Sequence, residues 1–102
     1  MGYEIKLLPI VHTDLREAKK WYSDKSKALG EDFKTEVNKE INYIGKYPQH
    51  YQKKYKELRQ SLVIRFPYAI YYLFDKAQKR ILVLGLLHTS RNPEIIRKRI
   101  SK

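Results

Sequence analysis

His88, Thr89, Ser90, Arg91 and Asn92 follow directly on the apolar run ILVLGLL, residues 81–87, and Pro93 closes the segment. An imidazole with an ordinary pKa of roughly 6.5 can give or take a proton near neutral pH. A guanidinium three residues on offers a fork of N–H donors that suits a phosphate or a carboxylate. Together the two fit acid–base chemistry beside a phosphate. Plainer uses stand next to this one. His88 can bond the loop backbone, Arg91 can pair with Glu94 or the C-terminal carboxylate, and Pro93 can simply end the strand. Further cations lie on both sides: Lys54, Lys56, Arg59 and Arg65 before the run, Arg97 after it.

Composition narrows the chemistry. The chain has no cysteine, and its three histidines (His12, His50, His88) share no ligand-like spacing, so no metal site and no cofactor is expected. No apolar run approaches the roughly 18 residues of a membrane span, and the start MGYEIKLLPIV patterns as a strand, so no membrane partner and a cytoplasmic location are expected. The net charge is +11, unevenly spread. Residues 1–50 hold nine basic and eight acidic side chains, whereas residues 51–102 hold thirteen and three. Solubility alone does not require that asymmetry; a face that meets a polyanion does.

The elements that must position these residues can be read from spacing. Residues 1–102 form a single domain. Tyr3 to Leu8 reads as a first strand closed by Pro9. Asp14 and Glu17 resemble a capping box, with Thr13 as the competing cap. Leu15, Ala18, Trp21, Tyr22, Ala28 and Leu29 then give one amphipathic helix that stops at Gly30, with Trp21 in the core. Phe33, Val37, Ile41 and Ile44 mark a second helix ending near Pro48. Two helices with almost no loop fold back as a hairpin.

Lys54 to Ile64 reads as one strand, PYAIYYLF as the next, DKAQK as a polar turn and Arg80 to His88 as the last strand. Gly85 inside that strand signals a bulge or a close backbone approach. The tail from about residue 94 is a short helix or a frayed end. The expected fold is α+β in the order β-α-α-β-β-β, a helical hairpin on one face of a small, mainly antiparallel sheet. In PYAIYYLF, Tyr68, Ile70, Tyr72 and Phe74 share one face and Ala69, Tyr71 and Leu73 the other, so both faces are apolar. Helices cover one of them. The tail or a partner must cover the second.

RFPYAIYY leading into ILVLGLLHTSRNP resembles the RelE/ParE family of bacterial toxins from type II toxin–antitoxin modules. The family pattern is an arginine, Phe-Pro-Tyr, an apolar strand, a turn, a second apolar strand and His-x-x-Arg-x-Pro. Here it appears as Arg65, Phe66-Pro67-Tyr68 and His88 to Pro93. The helical hairpin extends the likeness over nearly the whole chain. The resemblance implies a small basic toxin that inhibits growth and is neutralised by a cognate acidic antitoxin. The antitoxin would cover apolar sheet surface around Tyr68, Tyr71 and Tyr72, while Lys54, Lys56, Arg59, Arg65 and Arg97 would contact the target or phosphates. DNA would be met only indirectly, through the antitoxin.

Two activities occur in such toxins. RelE-like members cleave messenger RNA on the ribosome without a metal, by attack of the ribose 2′-hydroxyl. ParE-like members poison DNA gyrase. Arg91, with His88 as acid or base, fits the first chemistry. Four residues do not fit it: Ala69 stands where such nucleases carry an arginine, Ser61 and Val63 where they carry lysines, although Lys54 and Lys56 lie nearby if the register slips, and Arg97 close to where they carry a tyrosine. One lost cation or acid costs about 10²- to 10³-fold in rate. The residues therefore lean to a gyrase poison, with the mRNA endoribonuclease as alternative and a non-toxic basic nucleic-acid-binding module as a third reading.

Overall fold

The computed structural model describes residues 3–100; Ser101 and Lys102, which end the expected tail, lie outside the described residues. A five-stranded sheet carries two helices on one face and a third on the other. The elements are β1 (Glu4–Leu7), α1 (Pro9–Ser23), α2 (Lys27–Lys46), β2 (Lys53–Tyr55), β3 (Leu58–Leu62), β4 (Tyr68–Asp75), β5 (Arg80–His88) and α3 (Glu94–Ile100). The strand order is β1-β5-β4-β3-β2, antiparallel except for β1 beside β5. The α+β class and the helical hairpin are as the sequence implies.

Several boundaries differ. Pro9 does not close a strand but opens α1, where its fixed φ and missing N–H suit the first turn. Thr13, Asp14 and Glu17 therefore lie inside the helix and cap nothing. The hairpin breaks at residues 24–26, where Ser26 Oγ accepts from Leu29 N at 3.4 Å, and Gly30 belongs to α2. The segment from Lys54 to Ile64, expected as one strand, is two, β2 and β3, turned by Lys56 in the left-handed region (φ 48°).

Gly30 has a packing role instead. A Cβ there would sit 1.9 Å from Ser23 Oγ and 3.1 Å from Ser23 Cα, so the glycine sets how closely the two helices approach. Gly30→Ala is expected to destabilise the protein by about 1–3 kcal/mol, because overpacking against backbone outweighs the roughly 1 kcal/mol alanine gains in a helix. Adding Ser23→Gly should recover part of the loss in a urea titration.

The main core lies between the hairpin and the sheet: Val11, Ala18, Tyr22, Phe33, Val37 and Ile44 against Ile70, Tyr72, Ile81, Val83 and Leu86. At its far end sits a buried polar cluster. The Glu40 carboxylate accepts from the Tyr51 hydroxyl and the Ser61 hydroxyl, and Tyr72 OH donates to Pro48 O at 2.8 Å. Burial pushes the Tyr51 and Tyr72 phenols up to about 12. An unfolded tyrosine ionises near 10, so between these values the unfolded chain binds fewer protons than the folded one. Stability should therefore fall as pH rises from about 10 to about 12. Tyr72→Phe is expected to flatten that alkaline slope in pH-dependent urea melts, at a loss near 1 kcal/mol at neutral pH for the orphaned Pro48 carbonyl.

The second face is covered by the chain itself over β4 and β5. Leu58, Ala69, Tyr71, Leu84 and Leu87 pack with Ile96 of α3. The β4–β5 register shifts between Tyr71 and Tyr72, so that Leu84 is an extra residue in β5, and a Cβ on Gly85 would lie 2.3 Å from Ile96 Cδ1. Bulge and close approach thus coincide, and the tail helix uses both. Tyr71 (2% exposed) and Tyr72 (fully buried) are interior, which corrects the expectation that they offer their rings to a partner. What stays open on this face is smaller: Leu62 and Ile100, at 57% and 44% exposure.

α3 is fixed by a clasp across the edge of the sheet. β1 pairs with β5 only as far as Val83. Beyond that point Leu86 N donates to Asp14 Oδ2 (3.0 Å), and Leu84 O accepts from Arg99 Nη1 (2.9 Å). Arg99 grips both Asp14 oxygens, at 2.8 and 2.9 Å. One ion pair thus replaces the missing strand and ties α3 to α1.

Candidate functional site

β5 delivers His88 and Arg91 to the end of the sheet, and the loop that carries them is tightly fastened. Thr89 N donates to Pro67 O (2.8 Å), Arg91 N to His88 O (2.9 Å) and Glu94 N to Asn92 Oδ1 (2.9 Å). The Asn92 side chain is thus structural and leads into α3, while Thr89 fastens the loop through its backbone. Ser90 fixes the imidazole: its N–H donates to His88 Nδ1 at 3.1 Å, with its hydroxyl 2.8 Å from the same atom. A ring that accepts at Nδ1 carries its neutral-form proton on Nε2. His88 is therefore both the loop's hydrogen-bonder and a side chain with a donor to spare.

Tyr68, opposite His88 in the register, meets its ring edge-on at 5.3 Å. Burial raises the Tyr68 phenol pKa, the neighbouring Tyr22 adds to this, and the Arg91 guanidinium pulls it down. The hydroxyl stays a protonated donor at neutral pH. Arg91 is exposed, and among the described residues no carboxylate pairs with it; Glu94 instead binds Arg97 at 2.7 Å.

These residues form one wall of a groove of about 450 Å³. The other wall is α1, which contributes Asp14, Glu17 and Trp21. Trp21 is 55% exposed rather than in the core. The buried stripe of α1 is Val11, Ala18 and Tyr22, and Trp21 lies about 100° round the helix from Tyr22, on the flank that carries Asp14 and Glu17. Sequence reasoning missed the two groove residues Glu17 and Trp21: their i, i+4 spacing puts them on one face of a helix, but nothing local says which strand that face meets.

The remaining cations do not join this group. Lys54 lines a shallow basin with Gln60 and Leu62 on the β2–β3 side. Lys56 and Arg97 flank an apolar furrow of about 380 Å³ beside Leu58, Leu73 and Ile100. Arg59 donates to Tyr51 O at 2.5 Å, and Arg65 pairs with Asp32 at 3.5 Å.

The model of the ParE toxins of type II toxin–antitoxin systems, parDE, matches residues 5–93. The chain belongs to this family. No curated protein matches. Among solved structures it is similar to the toxin–antitoxin complex RelBE2 from Mycobacterium tuberculosis, with a TM-score of 0.60 and 13% identity over 86% of this chain and 99% of that one. At that identity the likeness is one of fold.

In this ParE-family toxin the three positions where RelE-like nucleases would carry cations are interior. Ala69 and Ser61 are fully buried and Val63 is 5% exposed. Ala69 packs toward α3, and Ser61 donates its hydroxyl to Glu40. No helix among the described residues is long and apolar enough to cross a membrane.

Proposed function

We propose that this toxin arrests growth by binding DNA gyrase rather than by cutting RNA, and that a cognate acidic antitoxin neutralises it. The burial of Ser61, Val63 and Ala69 carries the reading. These sites hold no cation, and each is closed by the chain's own packing, so a shift of strand register cannot supply one. The furrow between β3, β4 and α3, lined by Lys56, Glu57 and Arg97 and floored by Leu58 and Leu73, offers apolar anchor sites for a partner segment. The test is induction in a bacterial host while plasmid supercoiling and message integrity are followed together. Loss of gyrase activity with intact messages is the expected result. Cleavage of ribosome-bound message by the purified protein would rule the proposal out.

The His88 and Arg91 pairing at one groove supports a second reading, a ribosome-dependent endoribonuclease. On that reading Arg91→Ala abolishes toxicity and cleavage together. Harmless overexpression would remove both readings and leave a non-toxic basic module.

A further inference from the structure

We propose that the groove between α1 and the β4–β5 end binds a guanine nucleotide, with the base against Trp21, its Watson–Crick edge at Glu17 and the phosphate on Arg91. The inference shares Arg91 and His88 with the endoribonuclease reading, and because the test below reads binding without cleavage, the failure of one is distinguishable from the failure of the other. It rests on what the groove leaves unsatisfied. Of its two carboxylates, Asp14 is neutralised by Arg99, while Glu17 has no ion pair or hydrogen bond among the described residues. Its one guanidinium, Arg91, likewise has no side-chain acceptor there. His88 keeps an N–H on Nε2 once Ser90 has taken Nδ1.

Trp21 supplies the flat surface. Its ring is held rather than buried, with Tyr22 edge-on at 5.1 Å and Lys25 Nζ over one face at 4.0 Å from the centroid, so the base takes the opposite face. A fixed indole loses little freedom when a base stacks on it. Glu17 lies one helical turn before Trp21 on the same wall of the groove. A carboxylate beside a stacked base takes two parallel hydrogen bonds from guanine (N1–H and N2–H), whereas adenine and cytosine offer only an amino group there and uracil a single N–H between carbonyls. The N7 and O6 acceptors of guanine match an imidazole N–H, and a phosphate matches a free guanidinium. The groove, at about 450 Å³, falls in the size range of small-molecule sites.

The chain has a single tryptophan, so its fluorescence reports on this groove alone. The full chain is titrated with GMP, AMP, UMP and inorganic phosphate, excited at the red edge of the indole band, at low and moderate salt. Saturable quenching by GMP is expected, with AMP and UMP weaker by about tenfold or more. Arg91→Ala should weaken every nucleotide by about tenfold. Glu17→Gln should abolish the preference for guanine while leaving phosphate-dependent binding in place. Both side chains are exposed, so folding is expected to survive, and far-ultraviolet circular dichroism checks it.

A guanine-containing single-stranded oligonucleotide forms the second arm. Tighter binding than GMP identifies the nucleotide as part of a strand, and equal or weaker binding identifies a free nucleotide. The proposal is overturned if GMP produces no saturable quenching. It is also overturned if inorganic phosphate competes as well as GMP, which would mark general attraction to a chain of charge +11, or if Arg91→Ala changes nothing.

Discussion

Asp14→Ala is expected to lower stability by about 3–5 kcal/mol, a large share of the 5–15 kcal/mol available to a domain of this size. The Asp14 and Arg99 side chains are 10% and 17% exposed, so the pair is largely withdrawn from water and truncating one partner strands the other. Arg99→Ala should cost a similar amount, and the double variant much less than the sum of the two. A further comparison isolates what this pair does. Buried ion pairs can often be exchanged for apolar residues at little cost. Here Asp14→Leu with Arg99→Met should remain destabilised, because Leu86 N–H and Leu84 C=O would lose their partners at the end of β1's reach. Thermal melts of the four proteins decide it. A fully stable apolar double variant would show that the backbone contacts contribute nothing.

The second large effect is expected at Phe33. Its ring is fully buried and touches three others: Tyr22 stacked at 5.1 Å, Phe66 edge-on at 5.1 Å and Tyr68 edge-on at 5.0 Å. Phe33→Ala should cost about 3–5 kcal/mol through lost transfer energy and the cavity left behind. Because Tyr68 is one of the three, the loss should also loosen the groove wall beside His88. Phe33→Leu keeps most of the volume and should cost less. Urea titrations give the ranking; an alanine variant as stable as the parent would mean that the cluster repacks freely.

How much of this was legible in the sequence depended on whether the signal was local. The β4–β5 hairpin and its DKAQK turn follow from two apolar runs around a polar stretch, and the structure places them at those residues. Helix ends were read less well. Pro9 and Gly30 each have two uses, and the alternation of YEIKLL and the stripe through Leu29 favoured the wrong one. Trp21 fits a core stripe by type, but it lies on the flank of α1 beside Asp14 and Glu17 rather than on the stripe of Val11, Ala18 and Tyr22.

The second sheet face was read as open to a partner or covered by the tail. The structure chooses the tail across β4 and β5, because a glycine at the bulge lets Ile96 sit down on the sheet. An open sheet face is therefore not what supports membership of the toxin family; the match over residues 5–93 is. At the site, His88 and Arg91 were visible as types beside a strand end. Glu17 was not, since nothing local says which strand its helix will face.

The parallel pairing of β1 has a kinetic consequence. Glu4 lies beside Arg80, and the register runs on to Leu7 beside Val83, so the first strand can dock only after nearly the whole chain is available. β4 and β5, joined by a short turn, can associate early. Until β1, α1 and α3 arrive, the outer edge of β5 offers unpaired backbone groups to any passing strand, and the clasp has not yet closed. Refolding should accordingly show a slow late phase, with self-association rising with protein concentration while that edge is exposed.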